Sequence, residues 1–268
     1  MILELKNIEK SFGEKKVLTG VSFKAEGGKA FGLLGRNGAG KTTSIRILMD
    51  VFPANSGEVL IDGQPIDYNK IGIGYLPEER GLYPKKIIID QLTYFAELKG
   101  MSRKEAVQSI DYWLGRLGMT EYRNKKLETL SKGNQQKIQL ITALAHDPDI
   151  IILDEPFSGL DPVNAMLLKD VVKEQIAKGK IVLFSSHQMS YIEEFCDSIA
   201  ILNNGVVALH GDLHDIKRDY PRDRLVVKTE TPDAIIADFG ASCTVTDNGD
   251  LMIRLDSPSE KKTSMTRL

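Results

Sequence analysis

Gly35-Arg36-Asn37-Gly38-Ala39-Gly40-Lys41-Thr42-Thr43 is the stretch from which the rest of the chain is read. It matches the phosphate-loop pattern G-x-x-x-x-G-K-[ST] in full. Ala30 to Leu34 before it is a short apolar run that suits a buried strand, and Ser44 to Met49 after it has helical apolar spacing, with Ile45, Leu48 and Met49 on one face. A loop between strand and helix is the setting in which this pattern binds phosphate. Gly35, Gly38 and Gly40 free the backbone to turn several N–H groups onto one anion, and the following helix adds the positive end of its dipole. Arg36, Asn37 and Ala39 complete the loop. Lys41 is expected to reach the β- and γ-phosphates, and the Thr42 hydroxyl to ligate Mg²⁺, beside Thr43.

The 268 residues leave room for one large or two modest domains, and 42% hydrophobic with 27% charged residues is an ordinary globular composition. A formal net charge of -2 offers no basic footprint for nucleic acid. The first residues lack a charged segment leading into an apolar one, and no run approaches the roughly 18 apolar residues of a membrane span. A cytoplasmic location is therefore expected, with any membrane role exercised through a partner. Cys196 and Cys243 are far apart and lack ligand spacing to His or Cys, which supports neither a disulfide framework nor a zinc site.

Taken in order, residues 2–8 and 17–25 read as antiparallel strands around a polar turn at Gly13 to Lys16, the second interrupted at Leu18-Thr19-Gly20. Glu58 to Ile61, Asp62-Gly63 and Gln64 to Ile66 spell a hairpin. Ile71 to Leu76 is an apolar run closed by the breaker cluster Pro77 to Gly81, after which a helical pattern extends to about Leu130, with stops at Gly100 and Gly118. The core resumes with a helix from about Gln135, the buried strand Ile150 to Asp154, a helix over 163–177 and the strand Ile181 to Phe184 ending in Ser185-Ser186-His187. A helix from Met189 and a hairpin turning at Asn203-Asn204-Gly205 complete an α/β unit, with a boundary near Gly211. Beyond it, 212–268 reads as a small α+β domain. It comprises a strand at Arg224 to Lys228, a short helix near 232–239 and a hairpin of Cys243 to Thr246 with Leu251 to Leu255. Its tail from Pro258 begins a helix that goes no further, so this domain is expected to be truncated or frayed.

In an open parallel sheet, ligands bind beyond the carboxyl ends of the strands, where the phosphate loop, Asp154-Glu155 and His187 all fall. An apolar strand ending in Asp next to a phosphate loop points to Asp154 holding the Mg²⁺ shell and Glu155 acting as the base that takes a proton from water. His187 at the neighbouring strand end is expected to sense phosphate and position that water. Leu130-Ser131-Lys132-Gly133-Asn134-Gln135-Gln136-Lys137 opens a strong helix on small residues, a second candidate anion-binding helix end.

One phosphate loop with two phosphate-binding helix ends resembles the ATP-binding subunit of an ABC transporter. Walker A corresponds to Gly35–Thr43, the signature to Leu130–Gln135, Walker B to Ile150–Glu155, the D-loop to Ser158-Gly159-Leu160-Asp161 and the switch histidine to His187. The resemblance implies a P-loop core over 1–211 with an antiparallel β subdomain and an α-helical subdomain at about 81–133. It further implies Phe12 stacked on adenine, Ser131 and Gly133 contacting the γ-phosphate of a second subunit, ATP and Mg²⁺ as cofactors, and dimers with a copy of itself or a related chain. An integral-membrane permease is the implied partner. Two departures stand out. Lys132 and Asn134 replace family residues in the signature, and Glu78, in Pro77-Glu78-Glu79, stands where the family has the Q-loop glutamine of the metal shell. A carboxylate binds a hard cation and accepts hydrogen bonds but cannot donate as an amide does. These features, with the extra C-terminal domain, resemble ABC-2-type exporters of the sodium and multidrug kind. The rival reading is a soluble ABC ATPase acting on nucleic acid or ribosomes, which would carry long heptads, Cys pairs or a second cassette. A catalytically dead binding module conflicts with the presence of Lys41, Asp154 and Glu155.

Overall fold

A computed structural model describes all residues except 80, 158–159, 188, 220–223, 230–234, 237–242, 247–249 and 255–268. The described elements run β1 (Ile2–Phe12), β2 (Lys15–Glu26), β3 (Ala30–Leu34), α1 (Lys41–Leu48), β4 (Ser56–Ile61), β5 (Gln64–Pro65), β6 (Ile73–Leu76), α2 (Ile88–Leu98), α3 (Arg103–Arg116) and α4 (Lys132–Leu144). They continue as β7 (Ile150–Asp154), α5 (Pro162–Ala177), β8 (Ile181–Ser186), α6 (Met189–Phe195), β9 (Ser198–Asn203), β10 (Val206–Asp212), α7 (Leu213–Asp219), β11 (Arg224–Val227), β12 (Cys243–Val245) and β13 (Leu251–Arg254). Two compact units result, Met1–His214 and Asp215–Leu268.

In the first unit, an antiparallel sheet of order β2-β1-β4-β5 accompanies a larger sheet of order β10-β9-β3-β8-β7-β6. In the larger sheet every pairing is parallel except β10 with β9. The sequence explains the division. β1 buries Leu3, Leu5 and Ile8 and exposes most of the residues between, the alternation of a sheet wet on one face, whereas β3, β7 and β8 are buried at every position, as strands covered on both faces must be. One hydrophobic cluster joins the inner residues of β1 and β2 to Ile45, Ile47 and Leu48 of α1 and to Leu33, Ile152 and Leu183 of the parallel strands. The helix carrying Lys41 is thus fixed in the core.

Most expected elements form, with adjusted limits. The turn between β1 and β2 is shorter than expected, since both strands extend to Phe12 and Lys15. The expected interruption at Leu18-Thr19-Gly20 is a β-bulge: Val21 pairs with Ile8 and Thr19 with Glu9, leaving Gly20 at φ 84° without a partner in the register. α4 begins three residues before Gln135 because Ser131 caps it, its hydroxyl accepting from the Asn134 N–H at 3.4 Å. α3 starts on a capping box of Ser102 and Glu105, and α5 on Asp161 followed by Pro162. Between β6 and α4 the backbones come so close that a Cβ on Gly74 would stand 2.0 Å from the Ala143 carbonyl oxygen.

The second unit contains an antiparallel sheet of order β11-β13-β12, with Leu251 and Ile253 of its middle strand fully buried. The helix expected near 232–239 falls mostly on residues outside those described, as do Ser158 and Gly159 of the expected D-loop and the tail from Pro258. Among the described residues, no helix is long and apolar enough to cross a membrane.

Candidate active site

α1 starts without a side-chain cap. Its N-cap is Gly40 at φ 112°, a conformation that favours glycine, and Gly35 and Gly38 also have positive φ. Ala39 N–H bonds the Arg36 carbonyl at 3.1 Å and Ser44 N–H the Gly40 carbonyl at 2.9 Å, so the loop closes on itself. The N–H groups that open α1 have no carbonyl one turn earlier in a helix to bond, which makes this end an anion cradle. Lys41 is 8% exposed, and its Nζ donates to the Gly35 carbonyl at 2.6 Å. Among the described residues no carboxylate lies within 4.0 Å of it. A buried ammonium supplied only with neutral acceptors is suited to an incoming anion.

The carboxylates come from the end of β7. Asp154 is 5% exposed, accepts from the Tyr75 hydroxyl at 3.3 Å, and has its pKa raised above 3.8 chiefly by burial. Burial and the neighbouring carboxylate likewise push the Tyr75 hydroxyl up, so Tyr75 remains a donor. Glu155 is 7% exposed and has a left-handed backbone, φ 48°. Its N–H bonds the Ser185 carbonyl at 2.8 Å. Its side chain is held on both oxygens: Ser186 Oγ donates to Oε2 at 2.9 Å, while the His187 backbone N–H, at 2.8 Å, and ring Nδ1, at 2.6 Å, meet Oε1. Because a carboxylate only accepts, the ring proton in this pair sits on Nδ1.

A cavity of about 770 Å³ gathers these groups. It is lined by Phe12, Arg36, Asn37, Gly38, Gly40, Lys41, Thr42, Thr43, Glu78, Asp154 and Glu155. Ala39 is buried beneath the loop, and Gly35 contributes through its carbonyl on Lys41. His187 does not line the cavity; its half-exposed ring reaches the site through Glu155. Ser131 and Gly133 are also absent from the lining. They open α4 beside the start of α5, where a Cβ on Gly133 would stand 3.0 Å from Asn164 Nδ2.

Sequence reasoning passed over Lys15, Lys16, Val17 and Asn204, which line the same cavity. Lys15-Lys16 was legible only as a polar turn, although two adjacent cations ahead of a phosphate loop are a usable signal. It also passed over two amides of α4. Gln136 Nε2 donates to the Pro156 carbonyl at 2.7 Å, and buried Gln139 donates to the carbonyls of Pro77 and Glu79, at 3.4 and 3.0 Å. The turns bearing Glu155 and Glu78 are thereby tied to one helix.

Cations on one side and carboxylates on the other suit a polyphosphate carrying a divalent ion. Among the described residues, no group of three or more His, Cys, Asp or Glu side chains could cage a metal. The donor set fits Mg²⁺, which takes one or two protein oxygens and completes its shell with phosphate and water.

A family model described as ABC transporter matches residues 18–158. The chain is 47% identical over 232 residues to the uncharacterized ABC transporter ATP-binding protein YhaQ of Bacillus subtilis, covering 85% of this chain and 77% of that protein. It is 34% identical over 219 residues to the linearmycin resistance ATP-binding protein LnrL of the same organism, covering 80% and 70%. The solved structure of an ATP-binding subunit of an ABC transporter superposes with a TM-score of 0.75 at 32% identity, over 82% of this chain and 93% of that one.

Proposed function

The chain belongs to the ABC transporter family, as one of its ATP-binding subunits, and from that premise we propose that it hydrolyses MgATP in a head-to-tail dimer to drive export through a separate permease. The observation that carries the site assignment is the single cavity shared by the phosphate loop, Lys41, Asp154, Glu155 and Phe12. The N–H groups of the loop and Lys41 hold the β- and γ-phosphates, and Phe12 takes the adenine on its exposed ring. Thr42 and Asp154, with Glu78 nearby, hold Mg²⁺, which when bound draws charge off the phosphates. Glu155 receives the proton of the attacking water. Three bonds leave one lone pair of the carboxylate open to that proton, on Oε2, while Ser186 and His187 hold the group in place.

Ser131 and Gly133 lie off the cavity and open an anion-binding helix end of their own, which favours their serving the nucleotide of a second subunit, whether a copy of this chain or a related one. The direction of transport rests on the exporter-like signature and Q-loop segments and on a relative named for resistance to linearmycin, since efflux is one route to resistance. The chain would work on the cytoplasmic face of the membrane, attached through its permease.

The test is a pair of variants. Glu155→Gln should keep ATP binding and lose about 10²- to 10⁴-fold in turnover, the usual worth of a general base. Lys41→Ala should weaken ATP binding itself. Wild-type turnover in the first, or unchanged affinity in a titration of the second, would remove those residues from the mechanism.

A further inference from the structure

Phe12 is half exposed and lines the nucleotide cavity, whereas Phe52 and Lys10, which meet its ring, do not. Phe52 meets it edge to face, with centroids 5.5 Å apart and planes at 87°. Lys10 Nζ stands 5.4 Å from the Phe12 centroid and 4.9 Å from that of Phe52, and a 2.6 Å hydrogen bond to the Pro53 carbonyl pins it there. The arrangement is anchored from behind, because Phe52 is partly buried and packs on the core cluster. Phe12 itself is the last residue of β1, paired with Lys15 at the end of the ladder.

We infer that Lys10 and Phe52 are positioning residues for a purine platform: together they fix the rotamer of Phe12 and keep one face of its ring turned to the cavity. The inference rests on the assignment of Phe12 to the base. A half-exposed phenylalanine at a strand end would otherwise sample several rotamers, and each base-binding event would have to freeze one of them. The edge-to-face contact and the ammonium both act on the ring quadrupole and favour the single orientation that satisfies them together. The ammonium also draws electron density toward its own side of the ring, which improves stacking with an electron-rich base on the other.

The experiment measures KM and kcat for ATP, and binding of ATP and of inorganic tripolyphosphate, in the full chain. Phe12→Ala should weaken ATP about 5- to 100-fold, the span of base stacking on an aromatic side chain. Phe52→Ala and Lys10→Met should each raise KM for ATP about 2- to 10-fold, with kcat and tripolyphosphate affinity held. Phe52→Tyr, which keeps the ring, should restore the wild-type KM. In a Phe12→Ala background neither change should have any further effect. If Phe12→Ala weakens ATP while Phe52→Ala and Lys10→Met do not, the positioning role is wrong and the base assignment survives. Unchanged ATP affinity in Phe12→Ala would overturn the base assignment and the inference with it. An equal loss for tripolyphosphate in Phe52→Ala would mean that Phe52 acts through α1 instead. Should Phe52→Ala fail to fold, Lys10→Met, at a partly exposed position, decides alone.

Discussion

Asp154 and Glu155 are adjacent, buried and acidic, yet the protein burdens them differently. Asp154 bears its cost in solvation. Its pKa is raised, so in the window from 3.8 up to the raised value the native state retains a proton that the unfolded chain has lost. Stability contributed by this group is therefore present at low pH and declines as pH climbs through that window. Asp154→Asn never ionises. Without nucleotide it should melt above the wild type at neutral pH, with the gap narrowing as pH falls toward 3.8, while its turnover is lost. A variant that melts lower than wild type at neutral pH would show that interactions special to the charged Asp154 carboxylate outweigh its burial. Glu155 bears its cost in the backbone, at φ 48°, while hydrogen bonds on both oxygens offset the burial of its carboxylate. None of this was legible from the strand Ile150 to Asp154, whose apolar run shows that two acids end a buried strand but not what they touch. Ser186 and His187 reach Glu155 across the β7–β8 pairing, a relation between residues about thirty apart that no local period encodes.

Among the elements, the seam between β6 and α4 governs how the site is held. Gly74 lets the strand and helix backbones approach, and at the end of α4 His146 Nε2 donates to the Ile73 carbonyl at 3.1 Å. From the far side Ser109 Oγ of α3 donates to the Ala145 carbonyl at 2.7 Å. Burial depresses the His146 pKa below 6.5. A histidine of this kind contributes stability fully above its unfolded value, and the contribution is lost as pH drops through 6.5 toward the lowered value. Thermal unfolding followed downward from neutral pH should thus show the midpoint starting to fall near 6.5. His146→Gln, which can donate without titrating, should flatten that part of the curve. His146→Ala leaves the Ile73 carbonyl unpaired and should cost about 1–3 kcal/mol; a smaller loss would mean that water replaces the ring. The helices and strands meeting at this seam were legible from apolar spacing. Their close approach was not, because one glycine in a short strand carries no sign of what lies against it. The strong helix formers begin only at Gln135, but the small residues at 131–134 mark the helix opening that Ser131 caps.

For the whole molecule, the proposed dimer would have each chain supply most of one nucleotide site and the second anion-binding end of another. Glu155→Gln, which should hold ATP without consuming it, is expected to elute as a dimer in size-exclusion chromatography only when ATP is present. Adding Ser131→Arg should return it to monomer with ATP binding intact, because the larger side chain would occupy the place of the partner's γ-phosphate. A dimer that forms without ATP, or survives Ser131→Arg, would place the contact elsewhere. Within one chain, α4 would carry that event inward: it starts at Ser131 and is tied through Gln136 and Gln139 to the turns that bear Glu155 and Glu78.

The burial of Asp154 also sets a direction for laboratory evolution. An uncharged residue there would escape desolvation, whereas glycine at 155 would relieve about 1 kcal/mol of backbone cost only by stranding the donors of Ser186 and His187, at about 1–3 kcal/mol each. A library screened for heat tolerance alone should therefore enrich changes at position 154 before any others in the cavity, and its most heat-tolerant clones would be the ones that no longer turn over ATP.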